Sequence, residues 1–135
     1  MAKIGFVFPG QGSQKQGMLA ELATENPAVL DTFSRASEVL GKDLWRICQS
    51  DPEGSLNQTE ITQPVLLAAS VAIGRLWFDR GGPRPVVMSG HSLGEYSALV
   101  LAGVLAFEDA IAVVHQRGQF MQEAVGPGEG KMAAI

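Results

Sequence analysis

The sequence has little cysteine, little histidine and no excess of basic residues, and each shortage excludes a class of protein. Its single cysteine, Cys48, cannot form a disulfide within the chain, and two histidines offer no Cys/His spacing typical of a zinc site. Fourteen acidic residues against ten basic ones give a net charge of −4, which argues against nucleic-acid binding. We therefore expect a protein of a reducing compartment with no metal centre and no nucleic-acid partner.

Long hydrophobic runs are also missing. The longest apolar-rich stretches, residues 64–73 and 98–107, are shorter than the roughly 20 residues that a membrane span needs. The apolar run after Lys3 is too short for a signal peptide, and no A-x-A-like cleavage site follows it. With 46% hydrophobic residues in 135, the composition is that of a packed globule, and we expect a cytoplasmic protein with no membrane partner.

Glycine, by contrast, is abundant, with 16 residues in the chain, and many of the glycines separate apolar runs from helical patterns. Strands are predicted over residues 3–8 and 86–89, and helices over 93–102 and 107–124. Two more helices are predicted to begin at the caps Asn26 and Thr62 and to end near residues 41 and 78. Residues 42–57 predict no regular element, with Trp45 and Ile47 as core anchors. Alternating strands and helices favour an α/β fold with a parallel sheet.

Two clear strands are too few for a stable parallel sheet. The chain is therefore interpreted as the N-terminal part of a larger α/β enzyme, and we predict that it is unstable without the remainder. A cooperative unfolding transition of residues 1–135 expressed alone would contradict this prediction.

The segment Gly90-His91-Ser92-Leu93-Gly94 matches G-x-S-x-G between a predicted strand and a predicted helix. Small residues on both sides let the chain turn sharply, so that the Ser92 hydroxyl projects from the end of the sheet. The backbone N–H of Leu93 is then placed to donate to an oxyanion. The alternative interpretation is that Ser92 only caps the helix.

A nucleophilic serine needs a general base, and neither histidine suits that role. His91 adjoins Ser92 on a bend that directs neighbouring side chains apart, and we expect it to brace the turn by hydrogen bonding. His115 falls on the polar arc of the helix 107–124, as a solvated surface residue would. The general base is therefore predicted to lie outside this chain.

Three further polar groups are candidates for a site. Gln11, between two glycines after the first strand, could present a second oxyanion N–H, although a structural turn explains it equally well. Arg117 falls on the apolar arc of its helix, where it needs a carboxylate from either the protein or a ligand, and pairing within the protein is the commoner outcome. Gln63 begins a buried helix and also needs a partner, whereas Met121, one turn beyond Arg117, is expected in the core.

Taken together, the motifs closely resemble those of the malonyl-CoA:acyl carrier protein transacylases of fatty-acid synthesis. The resemblance runs from Lys3 to Ile135 and rests on Phe8-Pro9-Gly10-Gln11-Gly12-Ser13-Gln14, Thr62-Gln63-Pro64, Gly90-His91-Ser92-Leu93-Gly94-Glu95-Tyr96-Ser97-Ala98-Leu99 and Arg117. It implies an α/β-hydrolase-like parallel-sheet subdomain, of which residues 1–125 are the N-terminal part. It also implies that residues 126–135 are a hinge and the first strand, Met132 to Ile135, of a truncated ferredoxin-like subdomain.

The resemblance further implies a transfer of malonyl from malonyl-CoA to the phosphopantetheine thiol of acyl carrier protein, through a malonyl ester on Ser92. Gln11 and Leu93 would supply the oxyanion hole and Arg117 would hold the malonyl carboxylate. Gln63 and Met121 would line the site, and His91 would lie beside the nucleophile. Coenzyme A enters as a thioester substrate, with no permanently bound cofactor and no metal, and the catalytic histidine would belong to a C-terminal part of the enzyme.

Several alternatives stay open. An acyltransferase domain of a polyketide synthase would share the serine and the arginine, whereas a serine esterase or thioesterase would use water as the acceptor. The chain could also be an inactive fragment, although a split or nicked enzyme is favoured because the half-built sheet needs covering. An acidic carrier protein would dock on basic surface, for which the cluster Arg75, Arg80 and Arg84 is the candidate.

Overall fold

Two strands and six helices form in the part of the chain that the computed structural model describes, residues 2–131, 133 and 135. In chain order they are β1 (Gly5–Phe8), α1 (Ala20–Glu25), α2 (Pro27–Leu40), α3 (Leu44–Ser50), α4 (Thr59–Asp79), β2 (Val87–Gly90), α5 (Leu93–Leu101) and α6 (Phe107–Ala124). The predicted α/β alternation is confirmed, and α6 has the bounds that its periodicity predicted.

The strands β1 and β2 pair in parallel, with Phe8 opposite Gly90 at their carboxyl ends. Side chains alternate between the two faces of a strand, and here only one face is covered. Phe8 is buried against the helices, whereas Val7 is 84% exposed and Val87 is 60% exposed on the other face. The loops that follow both strands therefore meet at one edge of a sheet that is covered on one side.

Helix α4 forms the centre of the core and packs against α2, α5 and α6. It is 21 residues long with a mean hydropathy of 1.4 over its most apolar window, so its length and composition would suffice to cross a membrane. The expectation that the apolar stretch is too short for a span is therefore wrong, because the helix extends beyond residues 64–73 at both ends. Since 72% of that window is buried inside the fold, α4 is placed here as a core helix.

The start of α4 differs from the prediction. The helix begins at Thr59, after Gln58, and not at Thr62. Thr62 lies inside the helix, fully buried, and its hydroxyl donates to the carbonyl oxygens of Leu56 and Gln58. A threonine that hydrogen-bonds to a backbone group of the preceding turn resembles a cap in the sequence, and only the structure distinguishes the two cases.

The short helices α1 and α3 were not predicted, because six or seven residues carry too little periodicity to be recognised. In α3 the buried side chains are Leu44 and Cys48, while the expected anchors Trp45 and Ile47 are only partly buried. Burial raises the pKa of the Cys48 thiol to about 11. The thiol therefore stays protonated at neutral pH and is not a second nucleophile.

The chain turns at residues 126–129 after α6 ends. The strand predicted for Met132 to Ile135 includes Met132 and Ala134, which lie outside the described residues. The division into residues 1–125 and 126–135 therefore stays a prediction.

Candidate active site

The turn between β2 and α5 has a strained backbone centred on Ser92. This residue has φ 54° and ψ −113°, a conformation that costs a non-glycine residue free energy and that is typical of a nucleophile at a strand-to-helix turn. The turn also brings backbones into close contact: a Cβ on Gly94 would lie 2.2 Å from the carbonyl oxygen of Phe8. Only glycine fits there, so the spacing of the G-x-S-x-G segment follows directly from the packing of the turn onto β1.

Ser92 is exposed at the turn between β2 and α5. It makes no capping hydrogen bond to α5, so the alternative that Ser92 only caps the helix is wrong. Its Oγ instead accepts a hydrogen bond from Nη2 of Arg117 at 3.0 Å. The two residues that the sequence singled out most clearly are therefore in direct contact.

Arg117 is half-buried and is held by uncharged groups. Its Nη1 donates to Oε1 of Gln63 at 2.7 Å, and its guanidinium lies 5.6 Å from the centre of the Tyr96 ring. The one ion pair within the described residues joins Arg35 to Glu108, so no carboxylate of this part of the chain neutralises Arg117. The commoner expectation, a carboxylate partner within the protein, is not met here, and the charge is available to a ligand.

Gln63 and Met121 extend this set of contacts. Gln63 is fully buried, and its Nε2 lies 3.2 Å from the sulfur of Met121. Met121 is 38% exposed, so the expectation that it belongs to the core is wrong. The structure therefore brings together four of the predicted site residues, Ser92, Arg117, Gln63 and Met121.

The glycine-bounded loop after β1 lies against the serine turn. A Cβ on Gly10 would be 2.8 Å from the carbonyl oxygen of His91, which shows how closely the two loops approach. Side chains of the loop bind the start of α4 and the segment before it. Nε2 of Gln11 donates to Oγ1 of Thr59 at 3.1 Å, and Nε2 of Gln14 donates to Oδ1 of Asn57 at 2.8 Å. These contacts fix the loop beside Ser92.

The backbone N–H groups of Gln11 and Leu93 have no hydrogen-bond acceptor among residues 2–131. Each follows the carboxyl end of one of the two paired strands. Unpaired N–H groups at such an edge suit a developing negative charge on a substrate oxygen. The arrangement can therefore serve as an oxyanion hole.

Neither histidine of the chain hydrogen-bonds to Ser92. His91 is exposed and braces the turn through its backbone, donating to Phe8 at 3.3 Å and accepting from Gly94 at 2.9 Å, whereas its ring makes no hydrogen bond within the described residues. His115 is half-buried, with Nδ1 2.9 Å from the carbonyl oxygen of Glu60. The expectation of a solvated His115 is therefore wrong, because α6 packs closer to α4 than the helical wheel indicates.

Comparison with known proteins identifies the family of this chain. A family model described as an acyl transferase domain matches residues 5–135. The chain belongs to the acyl transferase domain family.

The relatives of this acyl transferase domain carry more specific names. Proteins named malonyl CoA-acyl carrier protein transacylase from Salmonella typhimurium and Escherichia coli K12 are each 58% identical over 135 residues, covering 100% of this chain and 44% of the relative. Among solved structures, an acyl carrier protein S-malonyltransferase from Vibrio cholerae has a TM-score of 0.90 and 59% identity, covering 93% of this chain and 41% of the other. The expected resemblance is confirmed, and the chain spans less than half the length of these relatives.

One further solved structure matches with a TM-score of 0.90 and 60% identity, over 93% of this chain and 40% of the other. It is a malonyl-transacylase in complex with a type II PKS acyl-carrier protein. The α/β fold of the acyl transferase domain is therefore shared with malonyl transacylases of more than one source.

Sequence reasoning did not single out Tyr96 or Thr59 as site residues. Tyr96 lies near the start of α5, four positions after Ser92, so its nearness to Ser92 in the sequence could have revealed it. Thr59, which accepts a hydrogen bond from Gln11, lies 48 positions away in the chain. No local signal in the sequence could have paired those two residues.

The three candidate docking arginines lie against different elements. Arg75 lies over the ring of Phe107 at 4.8 Å, and burial lowers its pKa. Arg80 donates a hydrogen bond to Asn26 at 2.6 Å. Arg84, which follows α4 in the chain, lies over the ring of Phe78 near the end of that helix. Arg84 also precedes β2, at the end of the sheet opposite to Ser92. The structure adds no support for carrier-protein docking on these arginines, which stays a prediction.

Proposed function

We propose that this acyl transferase domain carries the nucleophile and the carboxylate-binding group of a malonyl-CoA:acyl carrier protein transacylase. The observation that carries the proposal is the contact between Arg117 and Ser92 at 3.0 Å, with no carboxylate of the described chain on Arg117. A half-buried guanidinium beside a nucleophile favours an acyl group that brings its own negative charge, because an uncharged acyl group would leave the arginine without a counter-charge.

In the first half of the reaction, Oγ of Ser92 attacks the thioester carbonyl carbon of malonyl-CoA and loses its proton to a general base. The backbone N–H groups of Gln11 and Leu93 stabilise the resulting oxyanion. The carbon–sulfur bond then breaks, and the sulfur of coenzyme A leaves with a proton returned by the base. Malonyl remains as an ester on Ser92, with its free carboxylate held by Arg117.

In the second half, the phosphopantetheine thiol of acyl carrier protein gives its proton to the same base and attacks the ester carbonyl. The same oxyanion hole stabilises the second tetrahedral intermediate, and the ester bond to Ser92 breaks as its oxygen regains a proton. Gln63 orients the guanidinium of Arg117 in both halves, and Met121 lines the acyl pocket beside Gln63. His91 lies beside the nucleophile and holds the turn through its backbone.

The general base and the rest of the sheet are proposed to come from a C-terminal part, as the relatives' greater length suggests. Apolar groups left exposed support this proposal, since Val7 and Val87 line the uncovered sheet face and Phe120 is 61% exposed on α6. The proposed whole is an α/β-hydrolase-like subdomain, begun by residues 1–125, with a ferredoxin-like subdomain that residues 126–135 enter. A cytoplasmic location is part of the same proposal.

A polyketide acyltransferase remains the second candidate, because one matching structure is a malonyl-transacylase bound to a type II PKS acyl-carrier protein. Both candidates form an acyl ester on Ser92, and they differ in the carrier protein and in whether a branched malonyl unit is accepted. A thioesterase would use the same serine with water as the acceptor, and a comparison of hydrolysis with transfer from malonyl-CoA distinguishes it from a transferase.

The test uses a full-length chimera in which residues 1–135 replace the aligned N-terminal part of the Escherichia coli relative. After mixing with malonyl-CoA, we expect the intact mass to increase by one malonyl group on Ser92, and addition of acyl carrier protein to discharge it. The S92A variant is expected to give no adduct. The 135-residue chain alone is expected to give none either, since it lacks the base.

Three outcomes would contradict the proposal. A chimera that folds and forms no adduct would contradict the role of Ser92, and an adduct that persists in S92A would assign another nucleophile. Hydrolysis of malonyl-CoA faster than transfer to the carrier protein would indicate a thioesterase. Parallel assays with fatty-acid and polyketide carrier proteins distinguish the two transferases.

A further inference from the structure

Pro64 lies inside α4 and leaves one backbone carbonyl of that helix without its usual donor. In an α-helix the N–H of residue 64 would donate to the carbonyl oxygen of Glu60. Proline has no N–H, so this oxygen does not receive the hydrogen bond that residue 64 would donate. The first turns of α4 therefore present an acceptor on the side where α6 packs.

His115 of α6 makes a hydrogen bond to that carbonyl oxygen. Its Nδ1 lies 2.9 Å from the carbonyl oxygen of Glu60, and because a carbonyl can only accept, Nδ1 carries the hydrogen. The helices are in backbone contact at the same place, since a Cβ on Gly118 would lie 2.6 Å from Cα of Glu60 and 2.8 Å from the oxygen of Thr59. One hydrogen bond and one close contact thus fix α6 against the start of α4.

Arg117 lies between these two contact points in the sequence. Its Nη1 meets Oε1 of Gln63 at 2.7 Å, on the same stretch of α4 as Glu60. A shift of α6 along or around its axis would move the His115 ring from Glu60 and the guanidinium from Gln63 and Ser92 together. The position of the guanidinium is therefore linked to the contact of His115 with α4.

We propose that His115 is a positioning residue for acyl-group selection: its hydrogen bond to the carbonyl freed by Pro64 sets the register of α6 on α4 and so places Arg117 at the nucleophile. The inference rests on the proposed function and adds a residue to it. A planar guanidinium binds a carboxylate by two parallel hydrogen bonds only when it is correctly oriented. A displacement of about 1 Å can cost up to roughly 100-fold in rate, so a contact that fixes the helix affects charged acyl groups most.

The test compares H115L, H115N and Q116L in the full-length chimera, with kcat/KM for acyl-enzyme formation from malonyl-CoA and from acetyl-CoA. Loss of the hydrogen bond in H115L is expected to lower the malonyl value about fivefold to tenfold and the acetyl value less than about twofold. H115N keeps an N–H donor near the place of Nδ1, so its selectivity is expected to stay within about twofold of the parent. Gln116 is exposed, which makes Q116L the matched control with both values unchanged.

A second comparison separates two roles of His115: positioning Arg117, or only supplying a hydrogen bond to the carbonyl oxygen of Glu60. P64A restores an N–H that can donate to the carbonyl of Glu60 within α4. In the double variant P64A/H115L we expect the thermal midpoint to recover while the malonyl-to-acetyl ratio stays low. Recovery of the ratio as well would overturn the proposal, because His115 would then only satisfy the carbonyl.

One other result would also overturn it: an unchanged malonyl-to-acetyl ratio in folded H115L, whether both values stay the same or fall by the same factor. A parent chimera that forms no malonyl adduct would overturn the proposed function and this inference together. A parent adduct combined with an unchanged ratio in H115L would overturn the positioning role alone.

Discussion

The serine turn and the α4–α6 pair supply the two halves of the site, and they hold their groups in different ways. At the serine turn, backbones touch: a Cβ on Gly94 would lie 2.2 Å from the carbonyl oxygen of Phe8. On the α4–α6 pair, side chains reach across a separation of 54 positions between Gln63 and Arg117. The proposed nucleophile, Ser92, is therefore fixed by main-chain geometry that tolerates no added atom, whereas the proposed carboxylate-binding group, Arg117, is set by side-chain contacts that can be adjusted.

The largest effect is expected from adding one carbon at the turn, in G94A. A Cβ placed 2.2 Å from the carbonyl oxygen of Phe8 cannot be accommodated, because Phe8 is paired with Gly90 in the sheet. We expect G94A to abolish the malonyl adduct and to lower the free energy of unfolding by about 3 kcal/mol or more. Intact mass and chemical denaturation of the full-length chimera measure both.

The control is G103A at the end of α5. Gly103 has φ +79° with nothing within 4 Å of an added Cβ. The alanine in G103A therefore loses stability only through its left-handed backbone conformation, by about 1–2 kcal/mol. Adduct formation should persist in G103A. Equal losses of unfolding free energy in G94A and G103A would contradict the importance assigned to the close contact at the serine turn.

The next largest effect is expected from R117A, on the other half of the site. Loss of the charged hydrogen bonds to the malonyl carboxylate should lower kcat/KM for malonyl-CoA by roughly 10- to 150-fold. Acetyl-CoA has no carboxylate, so its value should fall less and the gap between the two substrates should narrow. An unchanged ratio of the two rates would contradict the assignment of Arg117.

A more selective change is Q63E. It places a carboxylate at 2.7 Å from Nη1 of Arg117, so the arginine gains a permanent partner and the malonyl carboxylate meets a like charge. We expect malonyl-CoA turnover to fall about tenfold or more, while acetyl-CoA turnover changes little. Q116E adds the same charge on the exposed side of α6 and should leave both rates unaltered; an equal fall in both variants would show only a general effect of charge.

The smallest effect is expected from E108Q, at the far end of α6. Hydrogen bonds from its own backbone amide and from Arg35 lower the pKa of Glu108 below its usual 4.5. A lowered folded pKa means that the stabilisation is present above pH 4.5 and is lost as the pH falls through the folded pKa. Because both side chains of the pair with Arg35 remain partly exposed to solvent, E108Q should cost less than about 1 kcal/mol at pH 7.

Thermal midpoints of the parent and of E108Q, recorded from pH 7 downwards, should converge below pH 4.5. The malonyl-to-acetyl ratio should be the same in both proteins, since Glu108 contacts Arg35 and not the site. A midpoint difference that grows on acidification, or a changed ratio, would contradict the assignment.

Much of the fold was predictable where a pattern is long or local. The periodicity of residues 107–124 predicted α6 with its observed bounds, and apolar runs before glycine predicted both strands to within a few residues. The helices α1 and α3 were missed because they are too short for periodicity, and the start of α4 was misplaced because Thr62 bonds backwards to Leu56. A prediction from neighbouring residues fails where a side chain hydrogen-bonds to the backbone of the preceding turn, because such a residue resembles a helix cap in the sequence.

The residues of the candidate site also divide into those that a local sequence pattern reveals and those that it does not. Ser92 and Leu93 were recognisable from five consecutive residues, because the strained turn needs small neighbours on both sides of the nucleophile. Arg117 was recognisable only as a charge on an apolar face, and its partners Gln63 and Tyr96 come from other helices. The role proposed for Arg117 comes from the family resemblance, because periodicity alone indicates only that the residue needs a partner.

The sequence by itself determined the serine turn and the parallel α/β alternation, because each depends on neighbouring residues. Only the tertiary structure decided that Arg117 meets no carboxylate of the described chain, that His115 meets the carbonyl freed by Pro64, and that Met121 borders the site. Those outcomes depend on how closely α6 approaches α4, and that distance is set by the packing of residues more than 50 positions apart in the chain.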